Sequence, residues 1–182
     1  KFRGRSLAIA ASALLAVGVV LTTLRATTVE VIEVAVVDKY TGSAFWRGER
    51  AEIIELADSA AVHANQVIDT GRDSAIGLRW GSGGSLRMDE NTRVEFIGDA
   101  SIFLHRGRVY FDSNDGDAQL VIETKHGSVT HLGTQYMTAV ADDSLVVSVR
   151  EGEISVDGRY YQETVGGEKQ MRFQGSARPV VV

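Results

Sequence analysis

The stretch that decides the fold is residues 127–157, GSVTHLGTQYMTAVADDSLVVSVREGEISVD. Apolar and polar residues alternate through most of it, and this period of two is typical of β-strands with one buried face. An earlier stretch repeats the pattern. Residues 104–112 match residues 149–157 as apolar, any, charged, Gly, charged, apolar, any, apolar, Asp, and Gly84-Ser85-Leu86 matches Gly127-Ser128-Val129. We therefore predict a duplicated β unit of about 45 residues.

Short alternating segments continue on both sides of the repeat, and the connectors between them are rich in Gly, Asp, Asn and Ser. Pro179 is the single proline, so the predicted strands can all donate their backbone N–H groups. We predict an all-β domain of tandem stacked motifs, a short β-solenoid or β-helix, because one unit alone is too small to bury its apolar face. A β-sandwich with Greek-key links is the alternative.

Five residues of this region are predicted to have structural roles at turns. Gly107 and Gly152 each lie between two charged residues just before a strand, where a turn with positive φ would exclude a side chain. Gly133 is assigned to the same class. Asp112 and Asp157 end the strands that follow, and we expect their carboxylates to cap N–H groups of the next turn.

A membrane anchor is predicted near the start of the chain, because residues 6–24 carry no charge. A helix of this length spans about 28 Å, which matches the hydrocarbon core of a bilayer. Three cations precede the segment and Arg25 alone follows before the first acids, so the N-terminus is expected in the cytoplasm and the body outside it. A secretory signal peptide is the alternative.

This anchor sets the predicted domain organisation. We expect a cytoplasmic stub at 1–5, a transmembrane helix at 6–24, a juxtamembrane stalk with the first strands at 25–64, the β domain at 65–175 and a tail at 176–182. Within the helix, Ala8, Ser12 and Ala16 form a seam of small residues and are candidates for a helix–helix contact.

Charge and motif content exclude several classes of function. After Arg25 the chain has 15 basic and 24 acidic residues, which argues against binding to a phosphate backbone. The sequence contains no Cys and no nucleophile-elbow, zinc-protease, dinucleotide or P-loop motif. We therefore expect no catalytic residue, no cofactor, no metal site and no small-molecule substrate. The metal candidates considered and set aside are His63, His105, His126 and His131.

Binding of a carbohydrate or another ligand would require a concave patch of aromatic residues. The candidates are scattered along the chain, which favours core and rim positions instead: Trp46, Trp80, Tyr110, Tyr136, Tyr160 and Tyr161.

A set of short motifs occurs in a fixed order between about residues 65 and 175. The most distinctive pair is Gly133-Thr134-Gln135-Tyr136 followed by Val149-Arg150-Glu151-Gly152. The other positions of the set are Thr70-Gly71, Ser74, Leu78-Arg79-Trp80, Gly84-Ser85-Leu86-Arg87-Met88, Thr92-Arg93-Val94, Leu104, Arg106-Gly107, Val109-Tyr110-Phe111-Asp112, Thr124 and Gly127-Ser128-Val129. This ordered set resembles the FecR domain of bacterial sigma-factor regulators.

The resemblance implies a single-pass inner-membrane regulator of cell-surface signalling with a periplasmic β domain. Its implied partners are the signalling domain of a TonB-dependent receptor, membrane proteases, and a sigma factor contacted through a segment that would precede Lys1. An envelope adaptor or structural subunit that uses the β domain as a docking platform is the alternative function.

Overall fold

The computed structural model describes residues 31–47, 53–114, 118–175 and 177–182, and residues Val31–Val182 form one compact unit. All regular structure in this part is β, as predicted. The fifteen strands are β1 (Glu33–Thr41), β2 (Ala44–Arg47), β3 (Ile53–Glu55), β4 (Ala61–His63), β5 (Gln66–Thr70), β6 (Ala75–Trp80), β7 (Ser85–Met88), β8 (Arg93–Gly98), β9 (Ser101–Asp112), β10 (Val121–Thr124), β11 (Gly127–Ala141), β12 (Ser144–Gly158), β13 (Tyr161–Gly166), β14 (Gln170–Gln174) and β15 (Val180–Val181).

The predicted membrane helix at residues 6–24, with Ala8, Ser12 and Ala16, lies outside the described residues. Within the part that is described, no helix is long and apolar enough to cross a membrane.

Hydrogen bonding joins the strands into two half-sheets that share three long strands. The first half-sheet runs β13-β12-β11-β10-β9-β8-β5-β2-β3, and the second runs β15-β14-β12-β11-β9-β7-β6-β1-β4. The N-terminal parts of β9 and β11 and the C-terminal part of β12 pair in the first half-sheet. The opposite end of each of these strands pairs in the second half-sheet. Among the described strands β9 and β10 form the one parallel pair.

The strand pairing differs from that expected for a β-solenoid of stacked repeats. A β-helix is built from parallel strand pairs between successive turns, whereas these strands are almost all antiparallel. The all-β class is confirmed, but the described strands do not show a solenoid. Strand pairing joins all fifteen described strands into one sheet, whose two half-sheets enclose a common core.

Three glycines with positive φ bend the shared strands: Gly107 in β9 (φ 90°), Gly133 in β11 (φ 98°) and Gly152 in β12 (φ 79°). They do not close turns between separate strands, where the sequence pattern puts them. In β9, Arg106 pairs with β8 of the first half-sheet and Gly107 pairs with β11 of the second. A residue with positive φ breaks the regular pleat, so one strand can continue from one layer into the other.

The sequence repeat corresponds to a repeated strand pairing. Ser85 pairs with Asp112 across β7 and β9, and Ser128 pairs with Asp157 across β11 and β12. A side chain at Gly84 would collide with the carbonyl group of Asp112, just as one at Gly127 would collide with that of Asp157. The first pairing lies in the second half-sheet and the other in the first. The first copy therefore begins and ends in the second half-sheet, whereas the second copy begins and ends in the first.

A single hydrophobic core lies between the half-sheets. Trp80 of β6 and Phe96 of β8 belong to different half-sheets, and their ring centroids are 6.2 Å apart. The inward positions of both repeat copies are buried: Leu104, Val109, Phe111, Val149, Ile154 and Val156. Strand β1 lies between β6 and β4 and adds Val34 and Val37 to this core. The described part of the predicted juxtamembrane segment therefore belongs to the same compact unit as the β domain.

Candidate functional site

The outward face of the second half-sheet carries the principal candidate site. Strand pairing aligns two rows of outward residues across β7, β9, β11, β12 and β14. The first row is Arg87, Tyr110, Met137, Ser148 and Gln170, and the second is Arg108, Ala139, Val146 and Arg172. The alternate residues, such as Leu86 and Val109, point into the core. We call this surface the arginine-flanked groove.

The groove is concave and open to solvent. A depression of about 590 Å³ lies over the first row and is also bordered by Ser85, Asp112, Gln135 and Arg150. A second depression, of about 330 Å³, lies over the second row and is lined by Ala139, Val146, Asp89 and Glu90. The lining of the larger depression comes entirely from strands of one half-sheet. Such a surface suits a segment of another macromolecule better than an enclosed small molecule.

The middle of the groove is apolar and half-buried, while cations lie at its edges. Tyr110, Met137, Ala139 and Val146 form the apolar strip. The guanidinium carbon of Arg87 lies 5.1 Å from the centroid of the Tyr110 ring, a cation–π contact that holds the arginine at one end.

The arginines of the groove differ in how far they are neutralised. Arg108 is engaged: its Nη1 lies 3.2 Å from Asp89 Oδ2, and hydrogen bonding to Tyr110 together with the charge of Asp89 raises the pKa of Arg108. Arg87, Arg150 and Arg172 form no ion pair with any residue that the structure describes. Arg172 donates from Nε to Gln170 Oε1 at 2.6 Å.

The groove differs in charge balance from the domain as a whole. Its two rows and two depressions contain four arginines and three acidic side chains, Asp89, Glu90 and Asp112, whereas residues 31–182 contain 15 basic and 23 acidic side chains. This local excess of cations favours an anionic partner.

A basic–aromatic pocket of about 540 Å³ lies elsewhere, where β13 and β14 meet the turn after β10. The rings of Tyr161 and Phe173 stack at 5.3 Å, and Lys125, Arg159 and Arg178 lie around them. Lys125 Nζ is 3.7 Å from Asp142 Oδ1. This pocket provides a second cationic surface against which the groove can be compared.

The sequence-predicted site residues are distributed over both layers. Asp112 borders the groove: its Oδ1 accepts from the N–H of Asn114 at 2.8 Å, and its Oδ2 accepts from Gln135 Nε2 at 3.0 Å. The Oδ2 atom of Asp157 accepts from the Ser155 hydroxyl at 3.1 Å, within β12 and not in a following turn. Gly107 lines the smaller depression, whereas Gly133 and Gly152 do not line either one.

The four histidines do not converge on one point. His105 contacts Glu95, His126 lies beside Phe173, and His131 packs against Phe111 and Tyr136 in the core. No group of three or more His, Asp or Glu able to hold a metal ion occurs among the described residues. Burial lowers the pKa of His131 and raises that of Tyr136.

Sequence reasoning missed the groove itself. Arg87 and Tyr110 belong to the motifs that resemble the FecR domain, but nothing local in the sequence connects them with Met137 or Arg172. The one available signal is the alternation, which places each residue on the outward face of its own strand.

Comparison with known proteins identifies the domain that carries this groove. Residues 66–155 match the model of the FecR protein family. This part of the chain is a FecR domain. The match begins at the first residue of β5 and ends within β12, so the FecR domain supplies every part of the groove except β14.

Two solved structures share this fold. Two crystal structures of a candidate anti-sigma factor from Parabacteroides distasonis ATCC 8503, at 1.65 and 2.50 Å resolution, each superpose with a TM-score of 0.56 at 17% sequence identity. Each match covers 64% of this chain and 58% of the other, so the FecR-domain protein described here spans little more than half the length of those relatives. No curated protein sequence matches it.

Proposed function

We propose that this chain is a membrane-anchored FecR-type regulator that relays an envelope signal to a cytoplasmic sigma factor through protein–protein contacts. The FecR match at residues 66–155 carries the proposal. The candidate anti-sigma factors that share the fold support it at the level of architecture. The signalling domain of a TonB-dependent receptor is the proposed source of the signal, and cleavage by membrane proteases is a proposed step of the relay.

The proposal places the β domain in the periplasm and a single anchor at residues 6–24 in the inner membrane. The uncharged segment and the excess of cations before it support this orientation. Alkaline phosphatase fused after Val182 should then be active, and a cytoplasmic reporter such as β-galactosidase at the same position should be inactive. The reverse pattern would reject the orientation.

The regulatory role is tested by transcription. Deleting the gene should change the output of the promoters that depend on the cognate extracytoplasmic sigma factor, and restoring the gene should reverse this change. Unchanged transcripts from every such promoter, with the envelope intact, would argue against regulation. The proposal includes no catalytic step, no cofactor and no metal ion.

An adaptor that docks proteins within a larger envelope assembly is the second candidate function. The open arginine-flanked groove favours it, because such a surface can bind a partner without any link to transcription. Purification of a stable envelope complex that dissociates when the groove is altered, without any transcriptional effect, would support the adaptor over the regulator.

A further inference from the structure

We infer that the arginine-flanked groove binds an extended acidic peptide from a protein partner, in which two carboxylates flank two apolar side chains. The inference deepens the proposed function, since it names the chemistry of a protein contact. It is argued from the groove alone and can hold even if the partner is not part of a sigma-factor pathway.

The charges of the groove select an anionic partner. Arg87 and Arg150 are exposed and border the larger depression, Arg172 is exposed on β14, and none of the three has an acidic partner among the described residues. The one carboxylate that borders the same depression, Asp112, already accepts hydrogen bonds from Asn114 and Gln135. The acids of the smaller depression are engaged as well: Asp89 pairs with Arg108, and Glu90 accepts a hydrogen bond from the N–H of Asp73. An incoming carboxylate would therefore meet exposed guanidinium groups that pair with no described acid.

The middle of the groove selects apolar side chains. Tyr110, Met137 and Val146 face outward yet are half-buried. Met137 is an adaptable contact for varied apolar groups, and the Tyr110 ring adds a rigid surface. An entirely acidic segment would leave this strip uncovered, so the partner needs both kinds of side chain.

The strand spacing sets the distance between the two carboxylates. Arg87 lies on β7 and Arg172 on β14, with β9, β11 and β12 between them. Four intervals of about 4.8 Å separate the outer strands by about 19 Å. An extended chain advances about 3.3 Å per residue, so about six residues cover this distance.

The alternation of an extended chain then gives the complete pattern. Side chains at positions i, i+2, i+4 and i+6 point to the same side. We therefore expect an acid at the first and last of these positions and apolar residues at the two between them. The peptide crosses the strands of the half-sheet and lies across its outer face, so it does not add a strand to an edge.

The test is fluorescence anisotropy of a labelled synthetic peptide with the sequence Ser-Asp-Ser-Val-Ser-Val-Ser-Asp-Ser, titrated with the full chain in a non-ionic detergent. Binding should weaken as the salt concentration rises, because exposed charge pairs are screened. A peptide with Asn in place of both Asp, and a scrambled peptide of the same composition, should each bind about tenfold more weakly.

The protein side is tested with a matched pair of double variants. Arg87→Gln with Arg172→Gln should weaken peptide binding by about tenfold. Arg159→Gln with Arg178→Gln removes the same charge at the basic–aromatic pocket and should leave the affinity unchanged. Equal urea midpoints would show that all forms are folded.

Several results would overturn the inference. These are no binding at millimolar peptide, equal binding of the scrambled or Asn peptide, or equal weakening by the two double variants. The outcome is independent of the transcription assay: a peptide that binds as expected, with no effect of gene deletion on transcription, would remove the proposed regulator and leave the groove assignment in place.

Discussion

Gly107 provides the sharpest test of how the long strands bend, and Gly107→Ala should destabilise the domain strongly. The residue has φ 90°, and a Cβ atom built on it lies 2.5 Å from Thr92 Cα and 2.7 Å from Thr92 Cβ. Thr92 cannot move aside freely, because it is fully buried and its hydroxyl accepts a 2.9 Å hydrogen bond from the N–H of Arg108.

Two effects add at this position. Positive φ in a non-glycine residue costs about 1–2 kcal/mol. The overlap with a buried backbone adds about 1–3 kcal/mol, the usual range for overpacking. We therefore expect the free energy of unfolding to fall by about 2–5 kcal/mol.

Gly133→Ala is the matched control. Gly133 also has positive φ (98°), but a Cβ atom there would meet no atom within 4 Å among the described residues. Its substitution should cost only the backbone term, about 1–2 kcal/mol. Any gain from restricting the unfolded chain is common to both variants and cancels.

The assay is urea unfolding followed by tryptophan fluorescence and circular dichroism. With a slope of about 2 kcal/mol per molar urea, the midpoint of Gly107→Ala should lie about 0.5–1.5 M below that of Gly133→Ala. Equal midpoints would refute the reasoning, since they would mean that Thr92 does not confine the bend in β9.

Three further changes test the core. Phe96→Ala should lower the free energy of unfolding by about 3–5 kcal/mol, because Phe96 is fully buried against Trp80. Ile97→Ala is the control: this side chain is 44% exposed, and its loss should cost less than about 1 kcal/mol. Similar losses in urea unfolding would contradict the packing of the two half-sheets on each other. Tyr136→Phe should be neutral or slightly stabilising, because the buried Tyr136 hydroxyl has no hydrogen-bond partner in the described structure; a loss above about 1 kcal/mol would reveal a partner. Burial lowers the pKa of His131 in the folded state, so the unfolded chain takes up the proton first and stability should fall as the pH drops through 6.5 and below. His131→Gln should flatten this acid dependence of the urea midpoint, and an unchanged slope would assign it to other groups.

Some features of the fold could be predicted because they depend on neighbouring residues. Alternation predicts separate strands at residues 102–104 and 108–111, and the structure places both in β9 with Gly107 between them. The repeat of the bend in β12 is visible as Arg150-Glu151-Gly152. The local sequence identifies Gly107 as a residue that needs positive φ. Both a bend within a strand and a turn between two strands require this backbone conformation. The two differ in which strands the flanking residues pair with, and the local sequence does not contain that information.

The groove could not be predicted for a related reason. Its two ends, Arg87 and Arg172, are 85 positions apart in the chain. They lie on the same surface only because four successive strand pairings connect β7 with β14. Shifting one strand by a single residue would turn Met137 or Tyr110 into the core, so the surface depends on register. Register is a property of strand pairs, which alternation along one strand does not contain.

By itself, the sequence determined the β class, the inward residues of each repeat, the glycines that need positive φ and the resemblance to FecR domains, because each depends on local alternation or on short ordered motifs. Only the tertiary structure decided that the repeat copies cross the layers in opposite order, that Gly107, Gly133 and Gly152 bend strands, and that an apolar strip lies between arginines. The physical reason is that strand pairing is non-local: backbone hydrogen bonds between distant segments choose the neighbours, and the neighbours create the surface.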